Sequence, residues 1–152
     1  MINIRRVKSD DAEHVKSLIH GIMDGEFAKV RPAYQYRDLD NPSEHYSGNR
    51  QIFLVAEKDG KIIGTVAIKD EGADVAQLRR VFVCKEYRGR GFGEKLLSKA
   101  MEFCFENNYK TVKFKGTDRM QEALQLCIRN GFEKETVAEQ GDFSLVVLSK
   151  KL

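Results

Sequence analysis

The sequence predicts an α/β domain: a mixed, mostly antiparallel central sheet of about six to seven strands, with helices on both faces. Three observations predict it. Two apolar runs flank Asp59-Gly60 in "QIFLVAEKDGKIIGTVAIKD" (51–70), the pattern of an antiparallel hairpin. After the hairpin, strand-like and helix-like patterns alternate to the end of the chain. Each helix-like segment carries a single apolar stripe, as expected of a helix that lies on a sheet.

The elements follow in order. "INIRRV" (2–7) alternates and reads as a first strand. "DDAEHVKSLIHGI" (10–22) reads as a helix, with Asp10 and Glu13 at capping-box spacing and Val15, Leu18, Ile19 and Ile22 on one face. Residues 24–49 hold both prolines, Pro32 and Pro42, and the aromatics Phe27, Tyr34, Tyr36 and Tyr46, so this region is expected to be irregular. The hairpin follows, then "EGADVA" (71–76) as a loop and "QLRRVFV" (77–83) as a fourth strand. "GEKLLSKAMEFCFENN" (93–108) places Leu96, Leu97, Ala100, Met101 and Cys104 at helical spacing. "TVKFK" (111–115) is a fifth strand. "DRMQEALQLCIRNGF" (118–132) is a helix that stops at Asn130-Gly131, and "FSLVVLSK" (143–150) is a last strand. No repeat, low-complexity tract or linker divides the chain, so residues 1–152 are expected to form a single domain.

Composition narrows the function classes. The chain is 41% hydrophobic and 32% charged, with a net charge of +3, too small to argue for nucleic acid. The positive charge is local: between residues 79 and 95, Arg79, Arg80, Lys85, Arg88, Arg90 and Lys95 stand against only Glu86 and Glu94. Such a patch beside a glycine loop suits a small polyanion. Cys84, Cys104 and Cys127 are odd in number and widely spaced, with no zinc pattern, so no metal is expected. No run approaches transmembrane length and the charged start is unlike a signal peptide; with unpaired cysteines, this points to the cytoplasm and away from membranes.

Arg88-Gly89-Arg90-Gly91-Phe92-Gly93 joins the fourth strand to the helix after it. Glycines turn main-chain N–H groups toward one point, and the helix adds its own unpaired N–H groups and the positive end of its dipole. The result is an anion site suited to a pyrophosphate. One residue separates the last two glycines where the dinucleotide fingerprint has two, and the Gly-Lys-Ser/Thr ending of a Walker loop is absent.

"YRGRGFGEKLL" resembles the acyl-CoA motif of the GCN5-related N-acetyltransferases, whose signature is Q/R-x-x-G-x-G/A. "INIRRVKSDDAEHVKSLI", "FLVAEKDGKIIGTVAIK", "LRRVFV" and "ALQLCIRNGF" resemble other parts of that family, so the likeness covers nearly all of the chain outside residues 24–50. The resemblance implies direct transfer of an acetyl group from acetyl-CoA to a small-molecule amine or a peptide, without a metal. It implies cofactor contacts from Arg88, Gly89, Arg90, Gly91, Phe92 and Gly93 around the pyrophosphate. It further implies main-chain contacts to the pantetheine arm from Val81, Phe82 and Val83, with the Val83 N–H as oxyanion donor. Where many relatives carry a tyrosine acid on the last helix, this chain has Cys127, whose thiol could protonate the leaving thiolate or, on one apolar stripe with Met120, Ala123 and Leu124, could serve only as a small buried hydrophobe. Where many carry a strand glutamate, it has Gln77, able to position water or substrate but not to take a proton. Met120 stands near the place of a family asparagine.

The base is left open among Asp70, Glu71, Asp74, Glu26, Asp38, Asp40 and Glu44. By the same resemblance residues 24–50 wall the acceptor site, where Tyr34, Tyr36 and Tyr46 either line it or cover the sheet edge as packing, and the acidic residues of the region lean toward a cationic acceptor. Two other readings stand beside the enzyme: a silent acyl-CoA-binding or sensing module, motivated by Gln77 and Cys127, and, ranked last, a nucleic-acid binder using the basic stretch. A homodimer is a further expectation.

Overall fold

The computed structural model describes residues 2–152. A seven-stranded sheet runs in the order β1-β2-β3-β4-β5-β7-β6, and every neighbouring pair is antiparallel except β4–β5. The strands are β1 (Asn3–Arg6), β2 (Ile52–Lys58), β3 (Lys61–Gly72), β4 (Val75–Val83), β5 (Thr111–Thr117), β6 (Glu133–Gln140) and β7 (Phe143–Lys151). The helices are α1 (Ala12–Glu26), the short α2 (Pro42–His45), α3 (Phe92–Glu106) and α4 (Gln121–Arg129). The mixed sheet with helices on both faces bears out the expected fold class.

Two cores explain the unbroken apolar runs of β2 and β3. Leu54, Ile63 and Ile68 point to one face and pack with Leu96, Leu97 and Ala100 of α3 and Leu124 and Cys127 of α4. Phe53, Val55 and Ala67 point to the other and pack with Val15, Ile19 and Met23 of α1 and with Leu39 and Tyr46 of the irregular region. Alternate residues of one strand therefore serve opposite cores.

Four details depart from the sequence reading. Asp11, not Asp10, closes the entry to α1, accepting the Lys8 N–H at 2.7 Å and gripped by Arg5. That helix runs on to Glu26. "EGADVA" is a tight hairpin turn in which Ala73 and Asp74 both take positive φ (55° and 60°), without the Asn-Gly or Asp-Gly signal that usually announces one. The seventh strand, β6, is exposed at every residue, so "EKETVAEQ" has no apolar alternation to read; its charges suit an unpaired sheet edge.

The feature that shapes the function is a bulge in β4. Arg79 faces Ala67 and Phe82 faces Thr65, so Arg80 and Val81 together oppose the single residue Val66. Arg80 sits at φ 55°, in the left-handed region, and its carbonyl accepts the buried Thr65 hydroxyl at 2.6 Å. Its side chain, 5% exposed, donates to Asp38, 3% exposed, with Nε–Oδ2 at 2.9 Å. Asp38 also accepts the Tyr46 hydroxyl at 2.6 Å. Past the pair Leu78–Phe114 the β4–β5 ladder stops, while β5 continues against β7 as far as Thr117. The two strands diverge from the bulge onward. Among the described residues no helix is long and apolar enough to cross a membrane.

Burial pushes the Asp38 carboxyl up, but its bonds to Arg80, the nearby charge and the Tyr46 hydroxyl outweigh this and hold it below the usual range. A carboxyl lowered by folding contributes stability above its unfolded pKa, and that contribution disappears as pH falls through the folded value. Asp38→Asn is therefore expected to cost about 3–5 kcal/mol, the usual loss on breaking a buried pair. It should also flatten the loss of stability below about pH 4. Urea unfolding of both proteins across pH checks both outcomes.

Candidate active site

A groove of about 580 Å³ opens where β4 and β5 part. One wall is Val81, Phe82 and Val83; the other is Met120 with Ala123 and Leu126 of α4; Ile22 of the extended α1 and Phe27 just past its end close a third side. Its end is the glycine loop, through Arg88, Gly89, Gly91, Phe92 and Gly93.

The loop is built for close approach. Gly89 and Gly91 hold φ at 77° and 80°, and a Cβ on Gly93 would come within 3.3 Å of Leu126, so glycine there lets α3 start against α4. The first internal bond of this helix runs from Lys95 N–H to the Gly91 carbonyl at 3.1 Å, and no side chain caps its start. Among the described residues, the main-chain N–H groups from Gly89 through Glu94 have no protein acceptor. They form a run of donors at the positive end of a 15-residue helix.

The two arginine side chains of the loop have partners within the protein. Arg88 donates twice to Glu26 of α1, at 2.6 and 2.9 Å, and its Nε donates to the Val83 carbonyl at 2.9 Å. It thereby ties the loop to α1 and β4. Arg90 is exposed, lies over the Tyr87 ring at 5.4 Å and is absent from the groove wall.

Val83 faces the groove with its main chain. Gly64 and Val83 are opposite each other, and the Cys84 N–H bonds the Ile63 carbonyl at 2.8 Å. In an antiparallel ladder this leaves the N–H and C=O of Val83 directed away from β3.

A second cavity, of about 410 Å³, shares Val81, Phe82, Met120 and Ala123 with the groove. Tyr34, Gln35, Gln77, Arg79, Arg80 and Lys115 complete its polar lining, and no carboxylate is among its walls. The Tyr34 hydroxyl accepts the Thr117 N–H at 3.1 Å and donates to the Met120 sulfur at 3.2 Å, which puts it beside the junction of the two spaces. Burial pushes its pKa up.

Other expected site residues lie elsewhere. Cys127 is fully buried in the core between α3, α4 and the sheet and lines neither space; burial pushes its thiol up to about 12. Tyr36 donates to the Arg31 carbonyl, packs on His20 and lies behind the Arg80 guanidinium, lining neither space. Tyr46 is buried against Asp38. None of the carboxylates considered as bases reaches the second cavity: Asp38 is held by Arg80, Asp40 by Lys16, Glu26 by Arg88, Asp74 by Arg50 and Glu71 by Lys115. Asp70 accepts the Gly72 N–H and Glu44 the Asn41 amide. Sequence reasoning did not single out Arg79 and Lys115 as cavity walls; strand alternation placed them on a face, but only the splay shows what that face borders.

A mixed sheet parted beside a strand–glycine loop–helix is the fold of the solved acetyltransferases it superposes on. The model of the acetyltransferase (GNAT) family matches residues 17–137, and the chain belongs to that family of N-acetyltransferases. It is 30% identical over 129 residues to an uncharacterized N-acetyltransferase of Archaeoglobus fulgidus, covering 74% of this chain and 80% of that one. Other curated relatives are longer: the chain spans 46% of a probable N-acetyltransferase of Xenopus tropicalis, camello. Among solved structures, a GNAT acetyltransferase of Staphylococcus aureus Mu50 superposes with a TM-score of 0.88 at 24% identity, covering 100% and 99% of the two chains. The yncA structure of Salmonella typhimurium, solved with its cofactor acetyl-CoA, gives a TM-score of 0.82 at 17% identity, covering 100% and 94%.

Replacing Gly89 or Gly91 by alanine forces a Cβ into the left-handed region and is expected to cost about 1–2 kcal/mol each. Arg90→Ala, on the exposed tip, should stay within about 0.5 kcal/mol of the parent. Urea unfolding of the three variants tests this contrast.

Proposed function

We propose that the protein moves an acetyl group from acetyl-CoA directly to a primary amine, on a small molecule or a peptide. The observation that carries this reading is the continuity of three features: the N–H run of Gly89–Glu94, the open main-chain edge of Val81–Val83, and a second, polar cavity joined to the groove at Met120 and Ala123. The first suits a pyrophosphate, the second an extended amide-bearing arm, the third an acceptor.

In this reading the amine lone pair attacks the thioester carbon at the junction. A C–N bond forms and the carbonyl oxygen takes negative charge, stabilised by the Val83 N–H. The C–S bond then breaks. The nitrogen gives up one proton and the sulfur of coenzyme A gains one, so the exchange balances without an added co-reactant. Tyr34 takes the place proposed on sequence grounds for Cys127. Its hydroxyl already donates to a sulfur, that of Met120, and turning to the departing sulfur exchanges one weak thioether bond for a stronger, charge-assisted one. Its raised pKa keeps it protonated through the neutral range, a donor rather than a base. Cys127 contributes packing, and Gln77 helps to orient the acceptor from the wall it shares with Tyr34. With no carboxylate on the cavity wall, the amine enters in its neutral form.

The test is release of free coenzyme A from acetyl-CoA as a function of added amine. Tyr34→Phe is expected to lower kcat about 10- to 100-fold while leaving acetyl-CoA affinity within about twofold. Cys127→Ala should leave kcat within about threefold at a temperature where the variant stays folded. The opposite ranking would return the acid role to Cys127, and acetyl-CoA binding without acceptor-dependent release would make the protein a binding module.

A further inference from the structure

We infer that the acceptor carries a carboxylate close to its amine, and that Arg79 with Lys115 forms the receptor for that carboxylate. The inference rests on the acetyl-transfer reading above and names the substrate class of the same site.

The second cavity has three cationic walls, Arg79, Arg80 and Lys115, and no acidic one. Their charge is not equally spent. Arg80 is consumed: Asp38 takes its Nε and one terminal nitrogen, and the Gln35 carbonyl takes the terminal nitrogen too. The oxygens of Asp38 are then occupied by Arg80 and by the Tyr46 hydroxyl. Arg79 approaches that carboxylate only at 3.9 Å and makes no hydrogen bond among the described residues, although its side chain is just 27% exposed. A planar guanidinium with its donors free on a cavity wall is a ready partner for a carboxylate, which it can hold with two parallel bonds. Lys115 lies on β5, across the splay, with its one ionic neighbour, Glu71, at 3.6 Å. The side-chain amides of Gln35 and Gln77 add neutral donors and acceptors to the same lining.

The same charges bear on the chemistry. Cationic walls disfavour a bound ammonium and lower the pKa of an amine between them. A carboxylate on the acceptor offsets the repulsion enough for binding, and the lowered pKa favours the neutral amine that the transfer uses, so no protein base is needed. A polyamine or a lysine side chain brings only positive charge and is repelled. This reverses the lean toward a cationic acceptor drawn from the acidic residues of the irregular region, because each of those residues is committed elsewhere.

Two matched measurements test the inference. In the first, kcat/KM is compared for free amino acids, their carboxamides and spermidine with acetyl-CoA, for the parent, Arg79→Gln, Arg79→Lys and Lys115→Gln. The parent is expected to prefer the carboxylates over the carboxamides by at least tenfold. Arg79→Gln should erase about 10- to 100-fold of kcat/KM for carboxylates, mainly through KM, and shrink the carboxylate-over-carboxamide preference to within about twofold. Arg79→Lys should recover part of the loss, and Lys115→Gln should give a smaller one. In the second, calorimetry in the presence of coenzyme A measures binding of an amino acid and its carboxamide directly. This arm decides the carboxylate receptor even for a protein that does not turn over, whereas failure to bind or consume acetyl-CoA would count against the parent reading. Preference for spermidine or carboxamides, or a carboxylate preference unchanged in Arg79→Gln, would overturn the inference.

Discussion

The bulge at Arg80-Val81 is the constraint on which the site depends. A regular β4 would carry its ladder with β5 past Leu78, close the sheet and leave neither groove nor second cavity. The bulge turns the strand, and the edge beyond it is released to both spaces. A left-handed arginine is costly by about 1–2 kcal/mol. The fold offsets that cost locally, with the Thr65 hydroxyl on the Arg80 carbonyl and the buried bond between the Arg80 guanidinium and Asp38. Gly64 belongs to the same device: a Cβ there would lie 2.9 Å from both the Phe82 carbonyl oxygen and a Leu96 methyl, so only glycine lets β3 sit this close to the turned strand.

Asp38 makes the bulge a hinge between two parts of the molecule. It lies in the irregular stretch between α1 and β2, and by holding Arg80 it brings that stretch down onto the sheet, where Tyr34 reaches Thr117 and Met120. A charge pair that would be a poor source of net stability thus sets where the second cavity lies. At the other end of the groove, the groups left without protein partners are main-chain N–H donors, while Arg88 is engaged by Glu26 and Val83 and Arg90 rests on Tyr87. The arginines of the motif shape the loop and its field; the glycines present the donors.

Much of this was legible in the sequence. Period-two and helical stripes located six strands and the three long helices, and the spacing of Gly89, Gly91 and Gly93 pointed to the anion loop. What was not legible has physical causes. β6 buries nothing, so no hydrophobic pattern marks it. Arg80 gives no sign of its conformation, because positive φ usually announces itself through glycine or asparagine. Cys127, a candidate acid by resemblance alone, turns its small apolar thiol into the core with Leu124. The charge of the second cavity depends on which carboxylates are already paired, a tertiary fact that no linear count of acidic residues contains.

Amide hydrogen exchange with and without acetyl-CoA, resolved to single residues, tests the central claim most directly. The account predicts slowed exchange at Val81 and Val83 on the released edge and from Gly89 through Gly93. Residues such as Leu78, on the paired side of the bulge, should be little changed. Protection confined to other surfaces, or a released edge that exchanges as fast with acetyl-CoA as without it, would contradict the account.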